Sequence, residues 1–257
     1  MKYKAAFFDV DGTLLSHRTG DIPESTVDTV RQLRKNGIMV VMASGRHPSE
    51  LKQLRIDGIT FDDYITTNGQ IVMDRDWNVI AHNPMPDDVL GLITDAFRDK
   101  RLPMQLCTLD DLYMNYINDE TKRILDSIYT PYHKLQSYCG ESVYQCVAYG
   151  VNEHKEWLDA VSEQFYVTSW HPDAVDIMPK GGGKTWGIQA YLAARGIRRE
   201  ETAAFGDGEN DLEMIRFAGT GIAMGNATRN LKLHADFITT DIDDDGVYHA
   251  AKRLGMI

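Results

Sequence analysis

The sequence is short of cysteine, of positive charge and of long apolar runs. Three cysteines, Cys107, Cys139 and Cys146, stand in 257 residues. Their number is odd, and their spacings fit neither a zinc knuckle nor a redox pair, which excludes a cysteine-built metal centre and a disulfide framework. They suit a reduced compartment and a quiet place in packing. Lys and Arg total 27 against 38 Asp and Glu, for a formal net charge of −11 and a pI near 5.1. A chain this acidic does not attract nucleic acid or an anionic membrane through its overall field. An anionic substrate would need local positive charge, from a metal or from a few placed basic residues. No apolar run approaches the length of a membrane span. The chain starts almost at once on an apolar strand, with no basic stretch followed by an apolar one, so no secretory signal and a cytoplasmic location are expected. Internal repeats and low-complexity tracts are missing as well.

What is present is an ordinary globular composition, 43% hydrophobic and 25% charged, long enough for a sizeable core and one or two domains. The first fifteen residues organise the rest. Ala5-Ala6-Phe7-Phe8 is a short apolar run of the kind buried on both faces in a parallel sheet. Asp9 and Asp11 follow. If strand alternation continues, their carboxylates point to the same side with Val10 facing away, and such a pair shares a cation or a proton. Gly12 allows a sharp turn and Thr13 adds a hydroxyl. The plainer reading of the same residues is an Asx-type turn that ends a strand.

A β-α rhythm follows. Pro23 and Glu24 open a helix whose Val27, Val30 and Leu33 recur at helical spacing, and Gly37 closes it. Residues 38–43 form a second buried strand, ending at Ser44-Gly45-Arg46. Pro48 opens a helix to about Arg55, residues 63–66 form a third strand, and 71–80 read as a hairpin. Between about Asn83 and Met178 the pattern changes to alternating strands (Leu112 to Ile117, Val143 to Val151, Phe165 to Trp170). Helices are expected there over Asp87 to Lys100, Asp119 to Tyr129 and Glu153 to Val161. The β-α rhythm returns with a helix from Lys184 to Arg195. A strand over Thr202–Phe205 then leads to Gly206-Asp207-Gly208-Glu209-Asn210-Asp211. The expectation is an α/β fold: a doubly wound, Rossmann-like parallel-sheet core of residues 1–82 and 179–257, with an α+β domain of 83–178 inserted. In such sheets ligands bind at the carboxyl ends of the strands, where all these polar loops lie.

Four clusters would meet there: Asp9 with Asp11, Ser44, Lys184, and Asp207 with Asp211. Converging carboxylates make a hard oxygen site suited to magnesium. A carboxylate beside that metal can attack a phosphoryl group, while the Ser44 hydroxyl donates to a phosphoryl oxygen and Lys184 neutralises charge. Each has a plain alternative: a turn at Ser44-Gly45, a surface lysine at 184, a solvated loop at 206–211. Gly181-Gly182-Gly183-Lys184-Thr185 invites a nucleotide-binding phosphate loop, but that motif needs glycine where Met178 stands.

Together these residues resemble the haloacid dehalogenase superfamily of phosphatases. Its Asp-x-Asp-Gly-Thr motif matches Asp9 to Thr13, and its Ser or Thr after strand two is similar to Ser44. Its lysine matches Lys184, and its Gly-Asp-x-x-x-Asp matches Gly206 to Asp211. Asn68-Gly69 and Ala223 to Ala227 resemble the Cof-type branch, which carries a mobile cap in the position of the insertion here. The ends Asp245-Gly246-Val247 and Gly255-Met256-Ile257 look like its bacterial sugar-phosphate phosphatases. The resemblance implies Asp9 as nucleophile and magnesium ligand. It implies Asp11 as acid and then base, with its backbone carbonyl on the metal, Asp207 as the third ligand and Asp211 in support. It also implies that Ser44, Gly45, Arg46, Lys184 and Asn210 hold the phosphoryl group or substrate. Gly181–Gly183 depart from the bulkier residue common before the lysine.

The implied activity is magnesium-dependent hydrolysis of a small phosphate ester, most simply a hexose or pentose phosphate, by a monomer. The alternatives are a phosphatase of pyridoxal phosphate or flavin mononucleotide, a mutase, and a non-catalytic binding protein on the same fold. Arg46, His47, Tyr113, Asn115, Trp170, His171 and Asp173 are candidates to line the space over the core, with packing as the competing role for each.

Overall fold

A computed structural model describes residues 2–54, 56, 58–127 and 130–257. The helix ends expected at Arg55 and Tyr129 lie outside the described residues. Thirteen strands and nine α-helices are found among those described. The strands are β1 (Ala5–Phe8), β2 (Met39–Ala43), β3 (Asp63–Thr66), β4 (Ile71–Asp74), β5 (Val79–His82), β6 (Met104–Cys107), β7 (Leu112–Met114), β8 (Gln145–Tyr149), β9 (Phe165–His171), β10 (Ala174–Pro179), β11 (Thr202–Gly206), β12 (Gly221–Ala223) and β13 (Phe237–Ile238). The helices are α1 (Glu24–Lys35), α2 (Pro48–Leu51), α3 (Asp87–Arg98), α4 (Asp119–Ser127), α5 (Lys155–Gln164), α6 (Lys184–Arg195), α7 (Leu212–Phe217), α8 (Arg229–His234) and α9 (Gly246–Arg253). None of them is long and apolar enough to cross a membrane. The chain divides into two compact units. One comprises Met1–Arg46, Glu50–His82 and Gly183–Ile257; the other comprises His47–Ser49 and Asn83–Gly182.

The first unit is built on an eight-stranded sheet in the order β13-β12-β11-β1-β2-β3-β4-β5. The strands from β13 through β3 run parallel, and β4 and β5 add an antiparallel hairpin at one edge. Central β1 is buried along its whole length, as its unbroken apolar sequence demands. Phe8 stacks on Phe205, its register partner on β11, with ring centroids 4.5 Å apart. Burying each such ring contributes about 2–3 kcal/mol. The stack also aligns the ends of β1 and β11, so the Asp9 N–H continues the ladder to the Phe205 carbonyl at 3.0 Å. Helix α1 buries Val27, Val30 and Leu33 and packs on α9, whereas α6, α7 and α8 pack in a row. Gly37, at φ +76°, turns the chain out of α1 into β2. This is the doubly wound α/β core.

The second unit is a five-stranded antiparallel sheet, β7-β6-β8-β10-β9. Ile93 and Phe97 of α3 and Trp157 and Val161 of α5 join Leu106, Cys146, Val175 and Ile177 of the sheet in one apolar cluster. Ile124 and Leu125 of α4 pack with Met114, Val147 and Tyr149 in a separate one. Strands β6 and β10 escaped the sequence reading. The first strand expected here stops at Met114 instead of Ile117. Asn115 turns its amide inward, accepting from Met104 N–H at 2.9 Å and donating to the Phe97 and Leu102 carbonyls. Strand β8 ends at Tyr149 because Gly150 adopts φ +73°. Cys107 and Cys146 are buried and form no disulfide; Cys139 is exposed, which corrects the expectation that all three sit in packing.

Candidate active site

Each polar cluster stands just past the carboxyl end of a parallel strand or at the start of α6. Strand β1 stops at Phe8, and the chain then turns, with Val10 O accepting from Leu14 and Leu15 N–H at 2.9 and 2.8 Å. Gly12 holds φ +85° in that turn, a conformation open to glycine. Ser44 follows β2, anchored by its N–H on the Ile65 carbonyl. Asp207 follows β11, and Asp211 folds back so that its Oδ2 accepts from the Asp207 and Gly208 N–H groups at 2.9 and 3.0 Å. Gly183 precedes α6 at φ +99°, so glycine is required where the sequence departs from the bulkier residue.

Lys184, the first residue of α6, is buried. Its ammonium reaches Asp9 Oδ1 and Asp211 Oδ1, both at 2.6 Å. Asp9, Asp207 and Asp211 each bring one carboxylate oxygen within 4.8 Å of the others. Burial pushes the Asp9 carboxyl well above the usual range against the pull of Lys184, and Asp211 and Asp207 add to the rise. Burial likewise pushes Asp207 up to about 7, helped by Asp211 and opposed by the Thr13 hydroxyl, which donates to Asp207 Oδ1 at 3.0 Å. For Lys184, burial alone would lower the ammonium; Asp211 and Asp9 outweigh it and hold the group charged. Once all three carboxylates are ionised, they leave a charge of −2 against the one ammonium, that of one divalent cation, and the donors are hard oxygens of the kind magnesium takes.

The Asp11 carboxylate lies outside the cluster of Asp9, Asp207 and Asp211. It turns to Arg46, with Nε to Oδ2 at 2.8 Å and Nη2 to Oδ1 at 2.7 Å. The strand has already ended at Phe8, so strand alternation does not set the direction of this side chain. Ser44 is buried and its Oγ accepts from the Arg46 N–H at 3.1 Å. Asn210 donates to Asn68 Oδ1 at 3.3 Å, and Gly45 lies against the same Asn68 amide. The site therefore gathers Asp9, Lys184, Asp207 and Asp211 tightly, with Asp11, Ser44, Gly45, Arg46 and Asn210 tied to the loops around them.

Two contributors went unnamed as site residues in the sequence reading. Asn226 donates to the Gly12 carbonyl at 2.7 Å and lies 3.5 Å from Asp207 Oδ2, joining two loops. Asn68 sits in the left-handed region (φ +49°) beside Thr67 (φ +52°), a strained pair. The signal for both was their place in Met224-Gly225-Asn226-Ala227 and Thr67-Asn68-Gly69, each directly after a strand. Of the candidates in the second unit, Asn115 spends its amide on backbone, and Tyr113 is buried with its hydroxyl toward Glu141. The Trp170 indole donates to Asp176, and His171 and Asp173 accept from backbone N–H groups. His47 clusters with this unit, its Nε2 3.1 Å from the Thr108 carbonyl oxygen.

A family model described as haloacid dehalogenase-like hydrolase matches residues 6–250. The chain belongs to that family. It is a phosphatase of its Cof-type branch, within a group acting on small phosphorylated metabolites. YkrA of Bacillus subtilis (strain 168), whose name marks it as a candidate phosphatase, is 34% identical over the whole of both chains. The 5-amino-6-(5-phospho-D-ribitylamino)uracil phosphatase YitU of the same organism is 28% identical over 95% of each. Among solved structures, the subclass IIB sugar phosphatase BT4131 superposes with a TM-score of 0.85 at 31% identity, covering 99% of this chain and all of that one.

Proposed function

We propose that the protein is a magnesium-dependent phosphatase of hexose or pentose phosphates that works through a phosphorylated Asp9. The observation that carries this reading is the buried Lys184 ammonium bonded to both Asp9 and Asp211, with Asp207 completing the carboxylate cluster. Asp9 and Asp207, with the Asp11 carbonyl, would hold the metal, which neutralises charge on the phosphoryl oxygens when bound. Asp211 fits a supporting role, since its oxygens already hold Lys184 and the N–H groups of residues 207 and 208.

The chain's own residues then divide the work. A carboxylate oxygen of Asp9 attacks phosphorus, forming an O–P bond as the bond to the leaving oxygen breaks. Asp11, a carboxylate paired with Arg46 in the structure, takes up a proton as substrate binds, gives it to that oxygen and leaves as the carboxylate. It then takes a proton from the water that attacks the aspartyl phosphate, so phosphate is released and both residues return to their starting state. Lys184 and the Ser44 hydroxyl steady the transferring group. Residues 83–178 act as the cap that selects the leaving group and keeps water out. One copy of the chain carries every group required.

The test is phosphate release, with and without magnesium, from sugar phosphates, pyridoxal phosphate, flavin mononucleotide and 5-amino-6-(5-phospho-D-ribitylamino)uracil, with Asp9→Asn as the blank. Magnesium-dependent turnover of a hexose or pentose phosphate that vanishes in Asp9→Asn is expected. Turnover that survives Asp9→Asn would refute the phosphoenzyme route. A clear preference for one of the last three compounds would replace the sugar-phosphate assignment.

A further inference from the structure

The ion pair between Arg46 and Asp11 uses both oxygens of the carboxylate and two nitrogens of one guanidinium edge. This fork fixes the plane and direction of the carboxylate, which a lysine ammonium does not do. Both backbones are tied down. The Arg46 N–H donates to Ser44 Oγ, and the Arg46 carbonyl accepts from Thr67 N–H at 2.9 Å. Asp11 sits in the turn closed on the Val10 carbonyl and by Gly12 N–H on Leu15 O. With neither end free to slide, the fork sets where the Asp11 carboxyl group points. The pair is partly exposed, 28% for Arg46 and 34% for Asp11, and a pair of that kind is worth only about 0–1 kcal/mol to the fold. Its geometric specificity exceeds what stability alone would require.

We propose that Arg46 is a positioning residue for Asp11: it aims the carboxyl group that handles the leaving-group proton, rather than gripping the substrate itself. This rests on the phosphatase reading above. It has a chemical signature. A sugar phosphate leaves as a basic alkoxide and needs the proton; p-nitrophenyl phosphate leaves as a weakly basic phenolate and hardly needs it. Loss of aim should therefore weigh on the sugar ester and spare the aryl ester.

The experiment measures kcat/KM with magnesium on glucose 6-phosphate and p-nitrophenyl phosphate for the wild-type chain, Arg46→Ala, Arg46→Lys, Asp11→Asn and Asp11→Asn/Arg46→Ala. This quantity ends at release of the alcohol, so the later hydrolysis does not enter. Arg46→Ala should lose about 10–100-fold more on the sugar ester than on the aryl ester, the same preference as Asp11→Asn. The double variant should be no worse than Asp11→Asn. Arg46→Lys, which keeps the charge, should show the same preference to a smaller degree and serves if Arg46→Ala folds poorly. Equal losses on both esters, or losses that multiply in the double variant, would overturn the proposal while leaving the phosphatase standing. A wild-type chain inactive on p-nitrophenyl phosphate and on every sugar phosphate tried would overturn the sugar-phosphate reading and this inference with it.

Discussion

A methyl group on Gly12 would lie 2.2 Å from Oδ2 of Asp207. The two residues come from loops after β1 and β11, and the space between them leaves no room for a side chain. Asn226 reaches the Gly12 carbonyl, and Thr13, next in the chain, holds the other oxygen of Asp207. The bare Cα therefore defines where the Asp207 carboxylate sits. Gly12→Ala adds both a clash and strain at φ +85°, a backbone cost of about 1–3 kcal/mol. Displacing a metal-holding carboxylate should weaken magnesium about 10–100-fold. Magnesium titration of activity checks this, and an unchanged half-saturation point would count against Asp207 as a ligand.

Lys184 is the one buried cation among the described carboxylates of the cluster, and its removal should be costly before any chemistry is considered. Lys184→Met keeps the stem and deletes the charge, leaving Asp9 and Asp211 buried without their partner. Breaking a buried pair in this way costs about 3–5 kcal/mol. Urea unfolding in chelator should show a loss of that order. Magnesium should recover part of it, because a dication supplies charge in the same place. Activity should fall about 100–1,000-fold even with saturating magnesium, the usual effect of losing one charge-stabilising donor. A variant as stable as the wild-type chain in chelator would mean that the buried pair contributes nothing to the fold.

Asp9, Lys184, Asp207 and Asp211 were legible because each follows a strand or opens a helix that periodicity marks clearly. The turn at Asp11 was less so. Alternation is a property of a strand, and the strand ends at Phe8, three residues before Asp11. Where the carboxylate goes depends on Arg46, 35 positions away in sequence. The same limit explains the missed strands. Ala174–Pro179 ends in proline and carries Asp176, so it reads as a connector, yet pairing with β8 and β9 on both sides makes it a central strand. Its last position tolerates proline because the ladder stops there.

The titration of Asp207 links metal binding to pH. Its carboxyl is raised to about 7 by burial and by Asp211, and Asp9 is raised in the same direction. An unfolded Asp releases its proton near 3.8, so between about pH 4 and 7 the folded, metal-free chain holds more protons than the unfolded one. Stability then falls as pH rises through that window. A metal ion competes with those protons, and binds the folded chain only after they leave. The increase in Tm produced by magnesium should thus be small at pH 5 and grow to a plateau above pH 8, as scanning fluorimetry would register. Asp207→Asn should weaken that dependence, because one of the two raised carboxyl groups has been removed. An equal magnesium shift at pH 5 and pH 8 in the wild-type chain would place the metal somewhere other than this carboxylate cluster.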